Sequence, residues 1–214
     1  YEHLSELWEL MVNQAFLPGE RDVVYKWIKE TAESKSGFPM SSEDLLKFFQ
    51  EKINNTQDYE GMTIEGFNCV KNLFLIINQK LDKISKIQAR SGVTAHGSSN
   101  NGYGVSYYSY SYNYEETKAM QTDFDYKVNV LPEELEGIQS IWNFILSANN
   151  EEVIEKAIDF LNKLYLHVNE ELEGKLVYMR SEYLAKCFKY LKEVLATRDQ
   201  VDKKVYSNNC LKCI

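Results

Sequence analysis

The sequence predicts an all-α protein built as an α-solenoid of HEAT- or armadillo-like helix pairs, with about eight helices. Apolar residues recur at intervals of three and four over most of the chain, which is typical of amphipathic helices. Proline occurs only 3 times in 214 residues, so long helices are not interrupted. The helices group into pairs of about 40 residues, the period of HEAT and armadillo repeats. We therefore expect a single helical-repeat domain over 1–214, with pairs at 1–37, 38–90, 131–171 and 172–214 and an insertion at 91–130.

The first pair is predicted by two apolar stripes on either side of a Pro-Gly break. The second pair begins at Ser41, which is expected to cap a helix together with Asp44. Its second helix is expected to run from about Thr63 to Gln88. The stripes of these four helices are Leu4, Leu7, Trp8, Met11; Val24, Trp27, Ile28, Thr31; Leu45, Leu46, Phe49, Ile53; and Phe67, Val70, Phe74, Ile77, Leu81, Ile84.

The third pair, Leu135–Asn169, carries the clearest helical pattern. Pro132 suits the first position of its opening helix, and Asn149 with Glu152 is expected to cap the next one. A short echo links the first and third pairs, since Leu7-Trp8, Val23-Val24 and Trp27-Ile28 parallel Ile141-Trp142, Val153-Ile154 and Ala157-Ile158. The last predicted stripe is Leu184, Cys187, Phe188, Leu191 and Leu195.

The insertion breaks the helical pattern. Ser91 to Tyr114 contains no Lys, Arg, Asp or Glu and is rich in Tyr, Ser, Gly and Asn. Two interpretations stay open: a disordered loop, or a β-hairpin at 105–130. The hairpin would pair the alternating run Tyr108–Tyr114 with the alternating run Phe124–Val130.

The insertion is also the candidate partner-binding site. Tyrosine provides contact area at low entropic cost, and the stretch 115–137 has a local net charge of −5. This composition predicts a projection that binds basic protein surfaces, and a solvated loop is the alternative. The candidate residues are Tyr107, Tyr108, Tyr110, Tyr112, Tyr114, Glu115, Glu116, Asp123 and Asp125.

Composition excludes several other roles. The net charge is −8 without a basic stripe, so no nucleic-acid partner is expected. No apolar run approaches the roughly 18 residues needed to span a membrane, so no membrane partner is expected. Cys69 and Cys187 lie on apolar helical faces, as buried free thiols do, which favours a reducing, cytoplasmic location. A start at Tyr1 rather than Met indicates a piece of a longer protein.

No motif points to catalysis. The chain has no HExxH, Walker A, GxGxxG or GxSxG motif. Cys210 and Cys213 form a single CxxC, whereas a structural zinc site needs four ligands. We therefore expect no catalytic residue, no metal site and no cofactor.

Short patches of the chain resemble a known family. Glu60–Phe67, Leu135–Trp142 and Ala148–Asn162 look like a region of the giant fat facets-type ubiquitin-specific proteases, and Leu7-Trp8 with Val24–Trp27 looks like the preceding helix pair. The resemblance covers Leu4 to Val168. It implies an armadillo/HEAT-like scaffold outside the catalytic domain, because the family's Cys box and His box are absent here. The insertion departs from the short loop expected at that place.

These observations predict a non-catalytic scaffold segment of a large cysteine-type deubiquitinase, which recruits or positions ubiquitinated substrates and other proteins. Two alternatives remain. One is a stand-alone helical adaptor or assembly module unrelated to ubiquitin. The other is an enzyme on a helical bundle with no recognisable motif.

Overall fold

The computed structural model describes residues 2–15, 17–33, 41–54, 58–87 and 125–196. The expected helical character is confirmed in these residues, which also contain a small two-stranded sheet. None of the helices there is long and apolar enough to cross a membrane. The helices are α1 Glu2–Trp8, α2 Pro18–Glu33, α3 Ser42–Phe48, α4 Ile64–Lys80, α5 Ile138–Ser147, α6 Glu151–Leu166, α7 Glu170–Glu173 and α8 Leu176–Ala196, and the strands are β1 Ile84–Lys86 and β2 Tyr126–Val128.

Local sequence signals set most helix starts. The Ser41 hydroxyl accepts a hydrogen bond from the Asp44 N–H at 3.0 Å, so the predicted cap is confirmed. The predicted cap of α6 is wrong by one residue, since the Asn150 side chain accepts from the Glu152 N–H at 3.0 Å. At their far ends α1 and α3 continue into π-helical turns, Glu9–Asn13 and Phe49–Ile53.

The predicted helix from Thr63 to Gln88 is wrong at its end, because α4 stops at Lys80. Asp82 adopts a left-handed backbone conformation with φ 57°. The Asp82 N–H donates to the Gln79 carbonyl at 3.0 Å, and the Lys83 N–H donates to the Asn78 carbonyl at 2.8 Å. This pair of bonds is a Schellman motif, which terminates a helix. Ile84 therefore belongs to β1 and not to the helical stripe.

The start of the third pair also differs from the prediction. Pro132 opens a short 3₁₀ turn, Pro132–Glu134, and α5 begins only at Ile138. Gly137 separates the two segments with φ 82°, so the acidic residues before it lie outside the first turn of α5. A Cβ at Gly137 would lie 2.3 Å from Cε1 of Phe49. The positive φ and this close approach explain why the position holds glycine.

The first helices of the three pairs lie side by side and point the same way. In the α1–α3 contact, the Trp8 and Phe48 rings meet edge to face at 5.4 Å, and Lys52 approaches Glu9 at 3.9 Å. Where the π-helical turn that continues α3 meets the start of α5, the Gln50 amide donates to the Glu136 carboxylate at 3.1 Å, and the Ser140 hydroxyl donates to the Asn54 side chain at 2.9 Å. Residue numbers increase together along both contacts, so α1, α3 and α5 form a parallel row.

The second helices form another parallel row. Between α2 and α4, the Thr63 hydroxyl bonds the Asp22 carboxylate, and the Tyr25 ring packs on Gly66 one turn later. Between α4 and α6, the Phe74 and Phe160 rings meet at 5.5 Å. The C-terminal ends of α4 and α6 both reach β2. The core lies between the two rows and is rich in aromatic side chains.

Asn78 is the most buried polar residue of this core, with no exposed surface. Its side-chain Nδ2 donates to the Glu136 carbonyl at 3.0 Å and to the Phe74 carbonyl at 2.9 Å. Its Oδ1 accepts the Glu136 N–H at 2.9 Å. The amide thus satisfies both peptide groups of Glu136, which joins α4 to the turn before α5 across the whole insertion.

Some predicted core positions are wrong. Trp27 is 47% exposed on α2, and on α8 Leu184 and Phe188 are 40% and 49% exposed. The buried residues of α8 include Cys187, as predicted, together with Met179 and Tyr183, and the Tyr183 ring contacts both α5 and α6. A helical stripe identifies an apolar side of a helix, but only the neighbouring elements decide which part of that side is covered.

Gly137→Ala is expected to lower the free energy of unfolding by about 2–4 kcal/mol, since the left-handed backbone costs roughly 1–2 kcal/mol for a residue with a Cβ and the Phe49 ring must also shift. Urea unfolding followed by circular dichroism measures the change. Gly174→Ala is the control, because Gly174 has φ −63° and open space around it. Its effect should stay within about 1 kcal/mol. Equal losses in the two variants would contradict this account.

Candidate functional site: the neck of the tyrosine-rich insertion

The insertion is joined to the helices by the strands β1 and β2, which together form its neck. β1 and β2 pair antiparallel, with Ile84 opposite Val128 and Lys86 opposite Tyr126. Just beyond the strands, the Ile87 N–H donates to the Asp125 carbonyl at 2.7 Å. In an antiparallel pair, the Cα atoms of two directly opposite, hydrogen-bonded residues lie about 5.5 Å apart. Ile87 and Asp125, the described residues on either side of 88–124, therefore lie next to each other.

The edge of β2 that faces away from β1 is also hydrogen-bonded. The Val128 N–H donates to the His167 carbonyl at 2.8 Å, and the Asn169 N–H donates to the Val128 carbonyl at 2.9 Å. β2 thus lies between β1 and the segment that follows α6, and Val128 is fully buried. The hairpin prediction is correct in making 126–128 a strand, but the partner that the structure shows for it is Ile84–Lys86. The tyrosine run proposed as its partner lies outside the described residues.

Polar side chains close the outer surface of the neck. The Ser85 hydroxyl donates to the Asn129 side chain at 3.2 Å, and the Asn129 amide donates to the Asp82 carbonyl at 3.1 Å. The Lys83 ammonium donates to the Glu134 carbonyl at 2.6 Å. These bonds tie the end of α4 and β1 to the residues that follow β2. They hold the two strands of the neck against the end of α4.

A shallow cleft of about 320 Å³ lies next to the turn before α5. Glu133 and Glu134 lie at its acidic side, whereas Gln139 and Asn143 of α5 provide amides. Glu133 accepts a hydrogen bond from the Tyr165 hydroxyl at 2.6 Å. Burial, reinforced by this bond, raises the pKa of the Tyr165 phenol well above its usual range. Tyr165 therefore stays a neutral donor and positions Glu133 rather than acting as a base.

An aromatic cluster joins α8 to the third pair. Trp142 contacts the Tyr183 ring at 5.5 Å and the Tyr190 ring at 5.4 Å. The Lys186 ammonium lies 5.0 Å from the Trp142 ring centre, as in a cation–π contact. Burial is the main reason why the pKa of Lys186 falls below its usual value. This arrangement packs and orients α8.

The two thiols in the described residues are buried, and the His167 imidazole is half-buried. Cys69 is completely buried, and desolvation raises the pKa of its thiol, which keeps it protonated and unreactive. Cys187 is also a buried free cysteine, so the predicted burial of both thiols is confirmed. Burial lowers the pKa of His167, with nearby Lys163 adding to the effect. No group of three His, Cys, Asp or Glu side chains suited to a metal occurs in the part of the chain that the structure describes.

Only one candidate residue of the predicted site lies in the described part of the chain. Asp125 is exposed at the base of the neck, where its carbonyl accepts the Ile87 N–H. The other eight, from Tyr107 to Asp123, lie outside the described residues. Sequence reasoning missed the roles of Asn78 and Lys83. The available signal for Asn78 was its place four residues after Phe74, on the apolar side of α4, whose sequence holds three asparagines.

The chain is distantly similar to ubiquitin carboxyl-terminal hydrolases over most of its length. It is 22% identical over 190 residues, 88% of the chain, to ubiquitin carboxyl-terminal hydrolase 24 of Mus musculus and equally to that of Homo sapiens. It is 20% identical over 206 residues, 96% of the chain, to ubiquitin carboxyl-terminal hydrolase 9Y of Homo sapiens. The chain spans only 6% of the length of each of these proteins. No protein-family model matches it.

Thiol labelling tests whether Cys69 and Cys187 are unreactive in the folded chain. In a chain with Cys210→Ser and Cys213→Ser, Cys69 and Cys187 should react with Ellman's reagent at pH 8 only after unfolding in urea, because both are buried and the pKa of Cys69 is raised by desolvation. Free glutathione at the same pH serves as the reactive control. Rapid labelling of a thiol in the folded chain would contradict the structure.

Proposed function

We propose that this chain is a non-catalytic α-solenoid segment of a cysteine-type deubiquitinase, which recruits or positions substrate proteins in the cytoplasm. The observation that carries the proposal is the pair of parallel helix rows, α1–α3–α5 and α2–α4–α6. Stacked helix pairs with parallel neighbours are the arrangement of HEAT and armadillo arrays, which serve as extended binding surfaces. The similarity to ubiquitin carboxyl-terminal hydrolases supports the deubiquitinase context.

Equivalent positions in the first and third pairs support the repeat interpretation. Trp8 and Trp142 are both about 1% exposed in the first row, and Val24 and Ile154 are both buried in the second. The neighbouring positions Val23 and Val153 differ, because Val23 is 66% exposed whereas Val153 is fully buried. Val153 lies on the same side of α6 as Phe160, which contacts α4. The exposed face at Val23 is thus the surface on which a further helix of the same row would pack.

The insertion is the proposed recruitment element. Its neck is bonded to the ends of α4 and α6, so the array presents it at a defined place. Tyrosines and carboxylates suit contact with basic protein surfaces. The proposed contact residues are the candidates named from the sequence, Tyr107 to Asp125.

An activity assay tests the non-catalytic part of the proposal. The isolated chain should release no fluorophore from ubiquitin coupled to aminomethylcoumarin, because the described cysteines, Cys69 and Cys187, are buried and out of reach of a substrate. A catalytic domain of a cysteine-type deubiquitinase, assayed at the same concentration, is the positive control. Turnover that disappears after alkylation of the thiols would disprove this part.

Replacement of residues 88–124 by a four-residue Gly-Ser linker tests the recruitment part. The Ile87–Asp125 hydrogen bond brings the ends together, so the helical fold and its thermal midpoint should be retained. Partner proteins captured by the intact chain should be lost. A second variant keeps the length but changes Tyr107, Tyr108, Tyr110, Tyr112 and Tyr114 to Ser, and it should lose the same partners. If each captured protein, once purified, binds all three chains equally in calorimetry, the insertion is not the recruitment element.

A further inference from the structure

α8 has two apolar faces, of which the helical core covers one. Met179, Tyr183 and Cys187 form the covered face and are at most 9% exposed. Val177, Leu184 and Phe188 lie on a second stripe and are 81%, 40% and 49% exposed. At 3.6 residues per turn, these three side chains fall within about 40° of one another and about 120° from the covered face.

The second stripe is long enough to receive a helix. Val177 and Phe188 are separated by eleven residues, or about 16 Å along the helix axis. Apolar side chains at such spacing on an accessible helix are the usual anchors when one amphipathic helix binds another. Exposed apolar side chains that share one face of a helix mark an interaction site more often than isolated exposed residues do.

The borders of the stripe are basic. Arg180 and Lys192 lie about 60° to either side of it and are exposed. Within the described part of the chain, neither forms an ion pair with a carboxylate. α8 carries four basic and two acidic residues, although the whole chain has a net charge of −8. The charge around this stripe is therefore opposite to the charge of the protein.

From these observations we propose that the Val177–Leu184–Phe188 stripe of α8 binds an amphipathic helix of a separate partner protein, with acidic residues on both borders of its apolar face. The apolar stripe supplies the contact area, and Arg180 and Lys192 select the charge of the partner and fix its orientation. This surface is separate from the insertion. The inference extends the proposed scaffold role by naming a class of partner.

Two synthetic peptides test the proposal. Both are 18-residue helices with leucines along one face; one has Glu and the other has Lys at the bordering positions. In fluorescence anisotropy at low salt, the Glu peptide should bind the intact chain at least about tenfold more tightly than the Lys peptide. The variant Leu184→Ser with Phe188→Ser should weaken that binding about tenfold or more. The matched control, Val23→Ser with Trp27→Ser on α2, should leave it unchanged.

A charge reversal tests selectivity without altering the apolar stripe. Arg180→Glu with Lys192→Glu should reverse the preference between the peptides, whereas Lys26→Glu on α2 should not. Equal binding of both peptides, or no effect of these variants, would overturn the proposal. Phe188-dependent dimerisation in sedimentation equilibrium, or binding to phosphatidylserine vesicles without peptide binding, would overturn it in favour of a second copy or a membrane. The chain without residues 88–124 should give the same results, which separates this test from that of the insertion.

Discussion

The hydrogen bonds between the Asn78 side chain and the Glu136 peptide group hold the two halves of this fold together. Asn78 is on α4 and Glu136 is just before α5, so the two are separated by the entire insertion. Because the site is fully buried, each bond that is made avoids the cost of an unpaired polar group, about 1–3 kcal/mol. These bonds hold the turn that contains Glu136 beside the end of α4.

The position of this turn determines the rest of the third pair. Gly137 follows directly and lies against the Phe49 ring, which brings α5 beside α3. The chain enters α5 at Ile138, and Ser140, three residues after Gly137, donates a hydrogen bond to Asn54. α6 then returns beside α4, and its end supplies the carbonyl and N–H that bind the outer edge of β2. The position of β2, and with it that of the neck, therefore depends on the hydrogen bonds of the buried Asn78 amide.

The sequence predicted the helices far better than the site. Apolar spacing located α1 to α6 and α8, since each helix must bury one side whatever its neighbours are. Apolar spacing failed at Ile84, because the spacing there fits a helix as well as a strand. The helix is excluded only by the Schellman motif and by the pairing of Ile84 with Val128. It failed at Trp27 and Phe188 because apolar character does not say whether another element covers a side chain. Of the predicted contact residues, only Asp125 could be located at the neck.

The sequence by itself determined the helical class, the capping of α3, the burial of Cys69 and Cys187, and the place where the helical pattern is interrupted. These features depend on local propensity and on apolar content, which a single segment carries. The tertiary structure decided the parallel order of the rows, the clamping of β2 on both edges and the exposure of the second stripe on α8. Each of these depends on contacts between residues far apart in the chain, such as Asn78 with Glu136 and Val128 with His167, whose pairing no local pattern encodes.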